Sequence, residues 1–342
     1  MRKLVLAAMA LFFLVTGVFV VWENYHKPRL LVLHSYGTDY VWTQGINEGL
    51  KRVLGKNQWL TVRYHYMHTN RFHSQDELRR ASLAARRAVE QFRPDVLLAI
   101  DDHAQDLVAR FYVNDPHMKI VFAGVNGEIT PYGYDDKAKN VTGIMEHKQF
   151  KPLQEMLTSL WGNQGRPPRL AHLSDCSMAA TTDTAEADKF DWAPQVYVGG
   201  FKVADFAAWK KKALELNGQI DFLLVSGYRQ LPYGDGKKGY VPPDEVMAWT
   251  LANVEAPVVG LNAFNSQDGA MISLGVSPYE QGQIPAQMAI DLLSGNKTIG
   301  DLPIRPASQY VISMSQQALA RYRIKPPQVF EAFARATNNY FK

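Results

Sequence analysis

Cysteine is almost missing from this chain. Cys176 stands alone, so no internal disulfide can form and no thiol pair is available for a zinc or iron–sulfur site. A surplus of one charge is lacking too: 37 basic and 33 acidic side chains leave a formal net charge of +4, scattered along the chain, without the concentrated basic patch of a nucleic-acid binder. No fixed-period repeat, heptad pattern or low-complexity stretch is found, which excludes solenoids and filaments. After Trp22 no apolar run is long enough to cross a membrane. Neither a G-x-x-x-x-G-K-[ST] loop nor a G-x-S-x-G elbow occurs, so phosphate cradling and serine hydrolysis lack their usual frames. Gly234 to Gly239 spells G-x-G-x-x-G, but it lies between Pro232 and Pro242-Pro243 rather than between a strand and a helix, and it reads as a loop.

What is present is an ordinary folding composition, 46% hydrophobic over 342 residues, a length that suits two domains. Arg2 and Lys3 precede an uncharged apolar run from Leu4 to Trp22, the pattern of an export signal. Ala8-Met9-Ala10 falls too early for a cleavage site, so residues 1–27 are expected to be a signal peptide or an uncleaved inner-membrane anchor, with the remainder periplasmic or otherwise extracytoplasmic. From Arg29 onward short apolar runs alternate with amphipathic stretches, the pattern of parallel sheets with helices on both faces. Strands are expected at Leu30–His34, Leu60–Tyr66, Val96–Ile100 and Ile120–Gly124, with a helix at Asp76–Phe92 opened by Ser74 and Glu77 in capping-box spacing. A breaker cluster at Gly162–Pro168 precedes a second series of strands at Leu170–Ser174, Gln195–Val198, Phe222–Ser226 and Val258–Leu261. Helices are expected at Asp205–Leu216, Pro243–Asn253 and Tyr279–Leu293. The division that follows is a first lobe over 28–140 with a return segment at about 266–295, a second over 141–265 with about 296–326, and a C-terminal helical tail over 327–342.

In parallel α/β sheets ligands meet the carboxyl ends of the strands, and those ends carry hydrogen-bonding and aromatic groups here. They are His34, Ser35 and Tyr36 with Tyr40 and Trp42; Asp101, Asp102 and His103; Asn126 and Glu128; Asp175, Cys176 and Ser177; Tyr228 and Arg229; and Asn262 and Asn265. Either aspartate of the Asp101-Asp102 pair could instead cap the helix that follows. His65, His68 and His73 cluster, yet a strand places His65 and His68 on opposite faces, against a shared metal.

Taken in order, His34-Ser35-Tyr36 with Trp42, Gly45 and Gly49, Met67-His68-Thr69-Asn70-Arg71, Asp101-Asp102-His103-Ala104 and Val121 to Asn126 resemble the ABC-transporter substrate-binding family of tryptophan and tyrosine type, which includes extracytoplasmic sensor domains. Asn140-Val141-Thr142-Gly143, the block Gly269 to Gly275, and Tyr279, Gly282 and Leu302-Pro303 are similar to the same family. The resemblance implies a type I periplasmic-binding-protein architecture, two Rossmann-like lobes closing on a ligand, without catalysis, cofactor or metal. Carried over by motif, the ligand-binding residues are Ser35, Tyr36, Asp101, Asp102 and Asn126; Asp175, Ser177 and Tyr228 correspond by topology. Trp42 and Asn262 complete the expected site. The expected function is capture of a small polar or aromatic, amino-acid-like molecule for an ABC permease. A ligand sensor with a membrane partner is the alternative, and a metal-dependent hydrolase built on Asp101, Asp102 and His103 a distant third. The chain departs from the family in lacking a lipobox cysteine, and in carrying His68 and Asn70 where the sensor-like members suggest Asp and Lys.

Overall fold

The computed structural model describes residues 2–72 and 74–342; the side chains of residues 2–4, 7–8 and 23–26 lie outside that description, as does His73, one of the histidines weighed for a metal site. Helix α1 (Arg2–His26) carries exposed apolar side chains from Val5 to Trp22. Among the described residues no helix is long and apolar enough to cross a membrane, so the anchor expected over residues 1–27 is unsupported.

The first lobe starts with β1 (Arg29–His34), α2 (Val41–Leu54), β2 (Thr61–Tyr66), α3 (Gln75–Phe92), β3 (Val96–Ile100), α4 (Asp102–Leu107), β4 (Lys119–Val125) and β5 (Val141–Met145). The chain then enters the second lobe with α5 (Phe150–Trp161), β6 (Arg169–Ser174), α6 (Met178–Lys189), β7 (Val196–Lys202), α7 (Phe206–Glu215), β8 (Phe222–Val225), α8 (Pro243–Asn253), β9 (Val258–Gly260) and β10 (Ile272–Val276). It returns to the first lobe for α9 (Pro278–Leu293) and β11 (Arg305–Pro306), and ends in the second with β12 (Tyr310–Ser315), α10 (Gln316–Tyr322), α11 (Gln328–Ala336) and β13 (Tyr340–Phe341). The six-stranded sheet has the order β11-β5-β4-β3-β1-β2, and the seven-stranded sheet β13-β12-β10-β9-β8-β6-β7. Pairing is parallel throughout except between β10 and β12.

The continuous apolar strands have their physical reason in this layering. Side chains alternate across a strand, so a strand covered on both faces must be apolar at every position. In β1, Leu30 and Val32 enter one core while Leu31 and Leu33 enter another on the opposite face; in β8, Phe222 and Leu224 divide in the same way from Leu223 and Val225. The capping box on α3 forms as spelled, with Glu77 N–H donating to Ser74 Oγ and Ser74 N–H to Glu77 Oε2. Glycines let α2 and α9 cross in near-backbone contact. A Cβ at Gly49 would run into Tyr279 O and one at Gly282 into Ile46 O.

The structure redraws the lobe boundaries. β5, expected in the second lobe, is hydrogen-bonded to β4 in the first sheet, where Gly143 lies opposite Phe122 and leaves room for its ring. β10, expected within the return segment, pairs with β9 and β12 in the second sheet, and the return proper is α9. The tail is more than a helix: β13 pairs with β12 and Ala334 of α11 is fully buried in the second lobe's core. The lobes are joined by the links β5–α5, β10–α9 and β11–β12. Buried Glu280 braces the last of these, accepting from Ser308 Oγ at 2.8 Å and from Gln309 N at 2.7 Å.

Candidate ligand cleft between the lobes

The carboxyl ends of β1, β3, β4 and β5 face those of β6, β8 and β9 across a cleft of about 680 Å³, a volume that includes its open mouth. Asp101 ends β3 on the first-lobe wall. Its backbone is held at φ +66° and ψ 164°, a conformation that costs a non-glycine residue on the order of 1–3 kcal/mol. Two contacts fix it there: its N–H donates to Ala123 O at 2.9 Å, and Trp42 of α2 donates Nε1–H to Oδ1 at 2.8 Å. Gly124, itself at φ +65°, permits the approach, because a Cβ there would stand 2.6 Å from Asp101 Oδ1.

Asp101 occupies the N-cap position of α4, yet its side chain makes no capping hydrogen bond. Ser35 does that work from the end of β1, accepting from Ala104 N at 2.8 Å while donating to Ile100 O at 2.8 Å. The second carboxylate oxygen of Asp101 is thereby left over. Oδ2 is buried without a hydrogen-bond partner among the described residues, as is Oδ1 of Asn126, which also lines the cleft. Burial pushes the Asp101 carboxyl well above its ordinary range; the Trp42 hydrogen bond opposes this, and Glu146 and Asp102 add to it.

Glu146 and Lys148 follow β5 on the first link between lobes. Lys148 Nζ donates to Glu146 Oε1 at 2.8 Å and to Asn262 Oδ1 at 2.8 Å, and it lies 3.5 Å from Asp183 Oδ1. Burial would strip its proton, but Asp183 and Glu146 outweigh that and hold it protonated. Burial raises Glu146 to about 7 against the pull of Lys148, with Asp183 and Asp102 contributing in the same upward direction.

The second-lobe wall has its acceptors filled. Asp175 accepts from Ser177 N at 3.0 Å, from Ser177 Oγ at 2.6 Å and from Gln230 N at 3.1 Å. Arg229 donates Nη2 to both oxygens of Asp268 at 2.7 and 2.6 Å, and its guanidinium lies 4.6 Å from the centroid of the Phe264 ring. Aromatic rings bridge the gap: Tyr36 meets Tyr40 edge-on at 5.0 Å, and Tyr40 of the first lobe lies 6.4 Å from Phe264 of the second. At another point Tyr240 donates its hydroxyl to Phe72 O at 3.0 Å, tying the lobes together.

Of the residues expected at the site, the structure brings Tyr36, Trp42, Asp101, Asn126, Asp175, Ser177 and Asn262 to the cleft. Three are placed elsewhere. Ser35 is spent on capping α4 and bonding Ile100 O. Asp102 stands behind the wall, accepting from Tyr132 Oη at 2.9 Å and Asn126 Nδ2 at 3.4 Å. Tyr228 is fully buried, donating to Asp268 Oδ2 at 2.6 Å and packing edge-on against Trp209. The acid–histidine trio of the hydrolase reading is split among separate partners, since His103 Nδ1 bonds Thr69 Oγ1 at 2.9 Å. Among the described residues no group of three or more His, Cys, Asp or Glu side chains could hold a metal ion.

The residues that sequence reasoning passed over are Glu146, Lys148, Asp183 and Phe264. The strand-end rule would have found the first two had β5 been recognised, and Phe264 follows Asn262 by two residues. Asp183 carried no signal, for α6 mixes alanines with polar residues without a clear apolar face, and its N-cap Ser177 makes no side-chain capping bond.

No family model and no curated protein matches the chain. Solved structures do. A conserved domain protein from Vibrio cholerae superposes with a TM-score of 0.66 at 16% identity, covering 92% of this chain and 100% of that one. A domain from Streptococcus pneumoniae, solved in complex with L-Trp, gives 0.61 at 14% identity over 89% of this chain and 98% of its own. The ligand-free, open structure of a Clostridium difficile substrate-binding protein with adhesive properties gives 0.63 at 13% identity, with 92% and 99% coverage. The chain therefore has the type I periplasmic-binding-protein fold, two α/β lobes around a cleft.

Proposed function

We propose that this chain is an extracytoplasmic solute-binding protein that holds a small polar or aromatic molecule between its lobes and presents it to an ABC permease. The observation that carries the reading is the cleft itself: aromatic rings from both lobes meet in a cleft whose lining holds two buried polar atoms without a partner among the described residues. Buried polar atoms are nearly always satisfied, so acceptors left over at the wall of a cleft mark where a ligand donates. Three chain links let the lobes move relative to one another, and closure around solute is the motion such an architecture supports. Residues 2–26 would direct export, in keeping with their N-terminal positive charge and exposed apolar surface.

A thermal-shift screen of the full chain against amino acids, amines, sugars, nucleosides and small carboxylates tests the reading. A ligand at 100 times its dissociation constant stabilises the folded state by about 2.7 kcal/mol. Stabilisation by at least one solute, lost when Tyr36 and Phe264 are replaced by alanine, is the expected result. No stabilisation across every class would overturn it.

A further inference from the structure

We infer that the cleft selects a ligand whose polar end is a cationic nitrogen bearing at least two N–H groups, an aromatic amine or amidine rather than a carboxylate. The inference rests on the solute-binding reading and adds the chemistry of the ligand's polar end. It starts from which polar atoms of the wall are still unengaged. Asp101 is 2% exposed and Asn126 5% exposed, both line the cleft, and Asp101 Oδ2 and Asn126 Oδ1 are buried acceptors without a partner among the described residues. An oxygen acceptor is answered by a donor, and two of them in the lining of one cleft suit a ligand group with more than one N–H.

Charge points the same way. The lining carries four acidic side chains, Asp101, Glu146, Asp175 and Asp183, against two basic ones, Lys148 and Arg229, so a cation is met by carboxylates that form as it binds. Arg229 is neutralised by Asp268, and Lys148 directs its ammonium at Glu146, Asn262 and Asp183, so it has no donor in reserve for a ligand carboxylate. Arg229 gives Nη2 to Asp268, which balances its charge, while its Nε is buried without a partner among the described residues. A cation at Asp101 would be met by the carboxylate that forms there and by the vacant acceptors, with its ring between Tyr36, Tyr40 and Phe264. Trp42 and Ser35 hold the Asp101 carboxylate in place for this, one by bonding Oδ1 and the other by relieving it of the helix cap. The raised proton affinity of Asp101 and Glu146 means that binding a cation expels protons.

The experiment is titration calorimetry of the full chain in mild detergent with a matched series: 2-phenylethylamine, L-phenylalanine and 3-phenylpropanoate, plus tryptamine for a larger ring. We expect the amines to bind at least tenfold tighter than the amino acid, with the carboxylate at least a hundredfold weaker. Heats measured in two buffers of different ionisation enthalpy should show net proton release on amine binding. Asp101→Asn should lose thirtyfold or more in amine affinity while the free variant melts at or above the parent. The inference is overturned if phenylalanine or phenylpropanoate binds as tightly as the amines, if Asp101→Asn binds amine like the parent, or if no amine binds. In the last case a hit elsewhere in the solute screen preserves the binding-protein reading and removes only the cationic assignment; an empty screen removes both.

Discussion

Both walls of the cleft carry polar residues at the carboxyl ends of parallel strands, yet their carboxyl groups are in opposite states. On the second-lobe wall Asp175 has three hydrogen bonds and Asp268 is paired with Arg229 and Tyr228. On the first-lobe wall Asp101 is strained, capless and half unpartnered, and Asn126 has an acceptor to spare. A wall whose acceptors are filled offers a ligand no vacant acceptor. On the proposed solute-binding reading, an unfinished one is destabilised until a ligand completes it, so the first lobe would recognise and the second would close.

The most damaging way to break the comparison is to neutralise one aspartate in each wall. Asp175→Asn is expected to lose about 3 kcal/mol of stability in denaturant titrations, since it replaces an acceptor of three hydrogen bonds. Asp101→Asn is expected to leave stability within about 1 kcal/mol of the parent, because asparagine has the same shape and bears the same backbone strain, keeps an oxygen for Trp42, and cannot ionise in the buried site. Equal losses in both variants would mean that the walls do not differ.

The next test uses pH. Asp102 is raised from 3.8 to about 6, by burial above all, against bonds from Tyr132 and Asn126 and with like charge from Asp183. A carboxyl raised on folding favours the native state while protonated, and that benefit fades as pH rises through about 6. Asp102→Asn should therefore gain stability relative to the parent between about pH 4 and 6, by roughly 2 kcal/mol at 1.4 kcal/mol per pKa unit. A constant difference across that range would show that the wall's burial is not felt as charge. Ser35→Ala sharpens the comparison on a smaller scale. It should cost about 1 kcal/mol in thermal unfolding, and the freed helix N-terminus would draw the Asp101 carboxylate inward, weakening amine binding severalfold. The smallest effect is expected from Tyr240→Phe, which removes the hydroxyl bond to Phe72 O. Ligand dissociation followed by stopped flow should quicken by less than tenfold, with the association rate unchanged.

Much of the fold was legible in the residues. Val96–Ile100 and Pro243–Asn253 occur as read, and the Ser74–Glu77 box opens α3. α2 was not read as a helix, since its N-cap Tyr40 makes no capping bond, its first turn has no acid, and Gly45 and Gly49 depress helix propensity for the sake of close packing on α9. β5 was missed for a related reason, Gly143 serving the Phe122 ring rather than strand propensity. With β5 went Glu146 and Lys148. Seven of the ten expected site residues line the cleft, and the other three are polar residues at strand ends that look the same in sequence but are consumed within one lobe.

The sequence by itself determined the alternating α/β order, because burial on both faces of a parallel strand imposes its own apolar signature residue by residue. It also determined that polar groups gather at the carboxyl ends of strands. Only the tertiary structure decided which of those groups remain unengaged, since their partners come from far along the chain: Trp42 reaches Asp101 across 59 residues and Ser35 reaches Ala104 across 69. A carboxylate's availability depends on its neighbours in space and on the water removed around it, and neither is written at its own position.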